Sequence, residues 1–243
     1  MRRLNLIVID SYFSVYSTNF RFSSISKKNL GGFIIKKVVS VIVDEMNVMH
    51  QLHKINVKGM DWRVFFKLVS CNLNTPTKSY FACANVLDQQ SDFYINRKRF
   101  FNSLANNGVT LLEGFTVLDF KRKNIEKGVN VLIALQLYKE SHSGAKDIVL
   151  CSADSELIPA VLEAQANGSR VHLIVSDHTP SKELCAVVDR VINLESIVET
   201  LSQQNAVRFM DLNKPYIMSK YDRDFKKSRQ GVIFNDKITA MAN

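Results

Sequence analysis

Residues 147–164 read Asp147-Ile148-Val149-Leu150-Cys151-Ser152-Ala153-Asp154-Ser155-Glu156-Leu157-Ile158-Pro159-Ala160-Val161-Leu162-Glu163-Ala164, a strand and a helix joined by a polar turn. Ile148, Val149, Leu150 and Cys151 are apolar without alternation, the pattern of a strand buried on both faces of a parallel sheet. Ser152, Asp154, Ser155 and Glu156 follow at once. Pro159 then falls in what would be a helix's first turn, where a missing N–H costs little. Two acids therefore stand at the carboxyl end of a strand, the edge at which open α/β sheets bind ligands.

The same alternation extends in both directions. Val38 to Val43 is a second doubly buried strand and runs directly into Asp44-Glu45-Met46-Asn47. Asp61 is placed to cap a helix over 61–72, whose apolar face is Trp62, Phe65, Phe66 and Val69. A third strand spans 80–86. A helix over 92–106 carries Arg97, Lys98 and Arg99 on its solvated side, and Asn107-Gly108 ends it before a strand at 109–112. Lys121-Arg122-Lys123 sits in a polar connection, and Lys127-Gly128-Val129-Asn130 opens a helix to about residue 140. After the central strand come a helix at 156–166, a strand at 170–175, a helix at 181–187, an edge strand at 191–192 and a last helix at 194–202. Strands separated by helices predict an α/β fold, a three-layer sandwich around a mainly parallel sheet with right-handed crossovers.

At 243 residues and 46% hydrophobic, the chain can bury one core, which predicts a single domain over 38–203 flanked by extensions at 1–37 and 204–243. No apolar run approaches the roughly 20 residues that span a bilayer, so a soluble protein with no membrane partner is expected. Cys71, Cys83, Cys151 and Cys185 are far apart, and Cys83 and Cys151 lie in apolar runs. They read as reduced core thiols of a cytoplasmic protein.

The net charge of +9 sits on the ends: residues 1–37 hold seven Lys/Arg and one acid, 204–243 hold eight and four, and the middle is near neutral with 17 and 18. The basic, Ser-rich start has the composition of an organelle transit peptide, which would move the protein to an organelle; a loosely docked arm and an upstream stretch from a wrong start codon are the other readings. In the tail, Tyr216, Tyr221 and Phe225 alternate with Lys220, Arg223, Lys226, Lys227 and Arg229. That mixture suits RNA backbone contact with base stacking, and equally a solubilising tail. The chain has no Gly-x-Gly-x-x-Gly after a strand, no P-loop and no Gly-x-Ser-x-Gly, so dinucleotide, P-loop nucleotide and serine-hydrolase chemistry lack support.

Four segments in register resemble the NYN domains of the PIN-like nuclease superfamily, in particular their LabA-like branch. Val43-Asp44-Glu45-Met46-Asn47 is similar to a first strand ending in Asp-x-x-Asn. Lys127-Gly128-Val129-Asn130 with Gln136 stands where that family has Lys-Gly-Val-Asp and a further Asp six residues on. Ser152 to Pro159 resembles Ser-Gly-Asp-Ser-Asp-Phe-x-Pro, and Ser181 to Leu184 with Asp189 to Leu194 resembles a later Ser-x-x-Leu element. The resemblance covers about 38–202.

It implies a ribonuclease whose acids, Asp44, Asp154 and Glu156, hold Mg²⁺ or Mn²⁺ at the carboxyl edge of the sheet, with Asn130 completing the catalytic set. Asn47, Lys127 and Ser152 would contact RNA. A hard divalent cation prefers such carboxylate oxygens and lowers the pKa of its bound water. The departures are Asn130 and Gln136 in place of Asp, and Glu156 in place of a shorter acid; Glu126 is a neighbouring acid that would compensate for Asn130 if it points inward, a direction the sequence leaves open. Two functions follow: a metal-dependent ribonuclease acting on single-stranded or structured RNA, with a homodimer as an optional assembly, or a catalytically degraded NYN fold that binds RNA or protein. Residue by residue, Asp44 is either a ligand or a turn cap, Glu156 a ligand or a helix first-turn acid, and Lys127 a phosphate contact or a solvated lysine. His50 and His53 share a helix face without a third ligand for zinc.

Overall fold

The structure, a computed structural model, describes residues 39–71, 77–120 and 124–210. The readings of 1–37, of Lys121-Arg122-Lys123 and of the aromatic and basic residues of 216–229 lie outside the described residues. Seven strands form the main sheet: β1 (Val39–Asp44), β3 (Thr77–Ala84), β4 (Val109–Leu118), β5 (Asn124–Lys127), β6 (Asp147–Cys151), β7 (Arg170–Val175) and β8 (Arg190–Asn193). Their spatial order is β5-β4-β3-β1-β6-β7-β8. All pairings are parallel except that of β5 with β4. Strand β2 (Val57–Met60) pairs instead with β9 (Val207–Phe209) in a separate two-stranded sheet.

The doubly apolar strands make two cores. Val39, Val41 and Val43 point to one face and Ile42 to the other, as a period of two requires. The first face packs against α1 (Glu45–Lys54), α2 (Trp62–Cys71), α3 (Asp92–Asn106) and α7 (Leu194–Gln203). Here Trp62 meets Phe65 and Phe81 edge-on, with centroids 5.4 and 5.0 Å apart. The second face is covered by α4 (Val129–His142), α5 (Ile158–Ala166) and α6 (Lys182–Val187). The expected three-layer α/β sandwich with a mainly parallel sheet is the fold observed.

Several local expectations are revised. Glu45–Lys54 is a helix that the sequence reading left unassigned, because it buries only Val48 and Leu52 as apolar anchors beside the polar Glu45 and Gln51. Strand β3 lies earlier than the predicted 80–86. Strand β4 continues six residues past 112, through Glu113-Gly114-Phe115-Thr116-Val117-Leu118, and pairs antiparallel with β5; its Phe115 and Leu118 are exposed, so no buried apolar run marks it. Strand β9 and the buried Ala206 fall within the stretch read as tail. Arg97, assigned to a solvated face with Lys98 and Arg99, is largely buried: it forms a bidentate pair with Glu45 at 2.6 and 2.9 Å and also donates to the Ala84 carbonyl.

Two glycines shape the path toward the carboxyl edge. A Cβ on Gly114 would lie 2.6 Å from the Lys127 carbonyl oxygen, so only glycine lets β4 run this close to the β5–α4 turn. Gly128, at φ +82°, makes the turn that starts α4.

Candidate active-site cleft

Asp44 is the last residue of β1 and is buried. Its Oδ1 accepts from the Asn47 backbone N–H at 3.2 Å, so it caps α1 as well as facing the cleft. Its Oδ2 accepts from the Ser152 hydroxyl at 2.9 Å. Burial raises its pKa to about 6; the Ser152 and Asn47 bonds oppose this, and the Asp154 and Glu45 charges add to it. Ser152 has no exposed surface, and its Oγ is also used by the Asp154 N–H at 3.2 Å. Ser152, expected to contact RNA, joins the ends of β1 and β6 and is not among the residues that line the cleft.

Asn47 lies at the cleft, and its side-chain oxygen locks the two strand ends together. It accepts from the Ala153 N–H and from Gln51 Nε2, each at 2.9 Å, while Gln51 Oε1 accepts from the Ser176 N–H at 2.7 Å. Asp154 uses Oδ1 to accept from the Glu156 N–H at 3.0 Å, starting the short 3-10 turn Ser155–Leu157 that leads into α5. Asn130, in the first turn of α4, donates its amide N–H groups to Asp154 Oδ2 at 2.9 Å and to Glu156 Oε2 at 3.0 Å.

Asp44, Asn47, Asn130, Asp154 and Glu156 thus surround one cleft of about 450 Å³, together with Lys127, Lys54, His50 and Glu126. Among the expected site residues only Ser152 is beneath it rather than in it. Lys127 is exposed at the rim. Gln136 is elsewhere: it is buried and donates to Glu140 at 3.0 Å. Glu140 also accepts from Ser40 and Tyr80; burial opposes its charge, but these bonds and Lys78 outweigh it and hold the carboxyl below its usual range. Replacing an Asp with Gln at 136 therefore removes no charge from the cleft.

Glu126, whose direction the sequence leaves open, lines the cleft from β5. Burial raises its pKa to about 8, with the Glu45 and Asp44 charges adding to the effect. The buried thiols Cys83 and Cys151 are pushed far upward by burial, so neither serves as a nucleophile.

The donors around the cleft are carboxylate and amide oxygens, the hard set that suits a Mg²⁺ or Mn²⁺ ion. The Glu126 Oε1 is buried and has no hydrogen-bond partner among the described residues, which leaves an unsatisfied acceptor on a residue that lines the cleft. Among the described residues, no three His, Cys, Asp or Glu side chains are gathered closely enough to chelate one ion in this arrangement. The Asn130 amide occupies the space between Asp154 and Glu156.

A family model described as NYN domain matches residues 38–195. No curated protein matches the chain. Among solved structures, the crystal structure of a protein of unknown function from Vibrio parahaemolyticus is similar, with a TM-score of 0.53 at 15% sequence identity over 67% of this chain and 96% of that one. That likeness concerns the fold. No helix among the described residues is long and apolar enough to cross a membrane.

Proposed function

The chain belongs to the NYN domain family of the PIN-like nuclease superfamily, and on that premise we propose that it is a divalent-metal-dependent ribonuclease of the LabA-like branch with a weakened acidic site. One observation carries the reading: Asp44, Asp154 and Glu156, up to 112 residues apart in the chain, meet in a single cleft at the carboxyl edge of the sheet. Asp44, Asp154 and Glu156 would hold Mg²⁺ or Mn²⁺. When bound, such an ion supplies a water of lowered pKa and neutralises charge on a phosphate.

The chain's own residues do the rest. Ser152 and Asn47 fix the two strand ends, so that Asp44 and Asp154 keep their spacing without metal. Lys127 and Lys54, on the same cleft, orient an RNA phosphate, single-stranded or in a structured region. The free Cys83, Cys151 and Cys185 support a reducing compartment such as the cytoplasm.

A second reading, a degraded NYN fold that binds RNA without cutting it, is favoured by the Asn130 amide, which bridges Asp154 and Glu156 as a neutral donor and uses one oxygen of each. The test is cleavage of single-stranded and hairpin RNA by the full chain with Mg²⁺ or Mn²⁺. Cleavage lost with chelator and in Asp154→Asn supports the nuclease. RNA affinity without cleavage, in both the native chain and Asn130→Asp, selects the binding module. A chain ending at residue 210, which keeps β9, tests the tail: an unchanged salt slope of RNA affinity removes 211–243 from RNA contact.

A further inference from the structure

We propose that Glu126 is a cation ligand of this cleft and supplies, from β5, the negative charge that Asn130 does not carry. The inference rests on the metal-dependent reading above and adds a donor that none of the four matching segments contains. Residue 126 pairs with Thr116 in the β4–β5 hairpin, two residues before Gly128, and faces the same cleft as Asp44 and Asp154.

Its carboxylate is only half satisfied. The backbone of Ala84 hydrogen-bonds it, whereas Oε1 is buried with no partner among the described residues. A buried carboxylate oxygen left without a donor is costly. Its charged surroundings make the deficit one of positive charge: after burial itself, the strongest influences are the negative Glu45 and Asp44. Arg97 is the opposing cation, but its guanidinium is engaged by both oxygens of Glu45 and by the Ala84 carbonyl. What satisfies this oxygen is either a proton or a hard cation from the cleft, and the second also relieves Asp44. The position fits a site in which the carboxylate count is kept by exchange: a neutral amide at 130 and an acid at 126, both reached through the Gly128 turn.

The test is Mn²⁺ binding by calorimetry with the full chain, as native protein and as Glu126→Gln, Asp44→Asn and the double variant Glu126→Gln/Asn130→Asp. Gln is close in shape to the protonated acid, and circular dichroism confirms that each variant is folded. Glu126→Gln is expected to weaken Mn²⁺ binding by roughly tenfold or more, because affinity at such sites follows the number of ligand charges. The double variant is expected to regain at least part of that loss. Unchanged affinity in Glu126→Gln, with binding lost in Asp44→Asn, overturns the proposal and leaves the metal-dependent reading intact. A loss that the double variant does not recover also overturns it, since a charge deficit would have been made good. If no form binds Mn²⁺, the metal-dependent reading falls and this inference with it.

Discussion

Asn130→Asp tests the cleft most directly, because one substitution turns two hydrogen bonds into two like-charge contacts. In the native chain the Asn130 amide donates to Asp154 at 2.9 Å and to Glu156 at 3.0 Å. An Asp of the same shape places carboxylate oxygens at those distances. Two unit charges about 3 Å apart repel by about 1.4 kcal/mol in water and by about 5 kcal/mol at an effective dielectric of 20. Glu156 is exposed and Asp154 partly so, which sets the repulsion near the lower limit. Adding the lost donor bonds gives about 2 to 4 kcal/mol of destabilisation in metal-free protein. For a domain of this size that is a fall in Tm of roughly 5 to 15 °C. Thermal unfolding in chelator and with excess Mn²⁺ measures it. A ligand at about a hundred times its Kd returns about 2.7 kcal/mol, so Mn²⁺ should recover most of the loss in Asn130→Asp. A chelated variant that melts together with the native chain would refute the bridging role of the amide. Destabilisation that Mn²⁺ leaves untouched would refute the cation site.

Three further outcomes follow from the same geometry. The Glu126 carboxyl, raised from 4.5 to about 8, binds its proton more tightly folded than unfolded, so its contribution to stability falls as pH rises through that window. In chelator, the native chain should lose about 3 kcal/mol more than Glu126→Gln between about pH 5 and pH 8 by urea unfolding, and parallel pH profiles would contradict this. Ser152→Ala removes a buried donor from Asp44 and should cost about 1 to 3 kcal/mol in urea unfolding, with Mn²⁺ affinity falling as well. Arg97→Met strands the buried Glu45 carboxylate and should cost about 3 to 5 kcal/mol, whereas Lys98→Met, on the exposed face of the same helix, should stay within about 0.5 kcal/mol of native.

The fold was legible where one physical rule dominated. Ile148 to Cys151 are apolar without a break and Val39 to Val43 are interrupted only by Ser40, a pattern that burial on both faces explains. Helix α3 has the bounds read for it, 92–106: Asn107-Gly108 ends it, with Gly108 at a positive φ, and Ser91 caps its start by accepting from the Tyr94 N–H. Helix α1 and the β4–β5 hairpin were not legible for the same reason: their burial is partly polar. Glu45 is buried with Arg97, and Gln51 is buried between Asn47 and the Ser176 backbone, pairings 52 and 125 residues apart at their longest that no local pattern reveals. The cleft divided along the same line. Asp44, Asp154 and Glu156 could be named because acids after buried strands stand at a ligand-binding edge. The role of Ser152 is not legible locally, because its hydroxyl satisfies the buried Asp44 carboxylate 108 residues away.

The part of the cleft that decides its chemistry is also the part least tied to the frame. Asp44 and Asp154 are held by Ser152 and Asn47, and Asn47 through Gln51 to Ser176 just past β7, bonds made among buried or half-buried groups that persist whatever stands at 130. Position 130, by contrast, is at the start of a helix whose apolar residues Val129, Ile133 and Leu137 anchor it from the other side. Exchanging Asn for Asp there alters the charge of the cleft while leaving α4 seated. The same holds at 126, where the hairpin's backbone pairing with Thr116 positions the side chain irrespective of its charge. Charge at these two positions can therefore vary independently of the scaffold. A cleft with Asn at 130 and Glu at 126 holds four carboxylates against the lysines at 54 and 127, and burial with the Glu45 and Asp44 charges pushes the Glu126 carboxyl up to about 8, which favours a proton or a cation there.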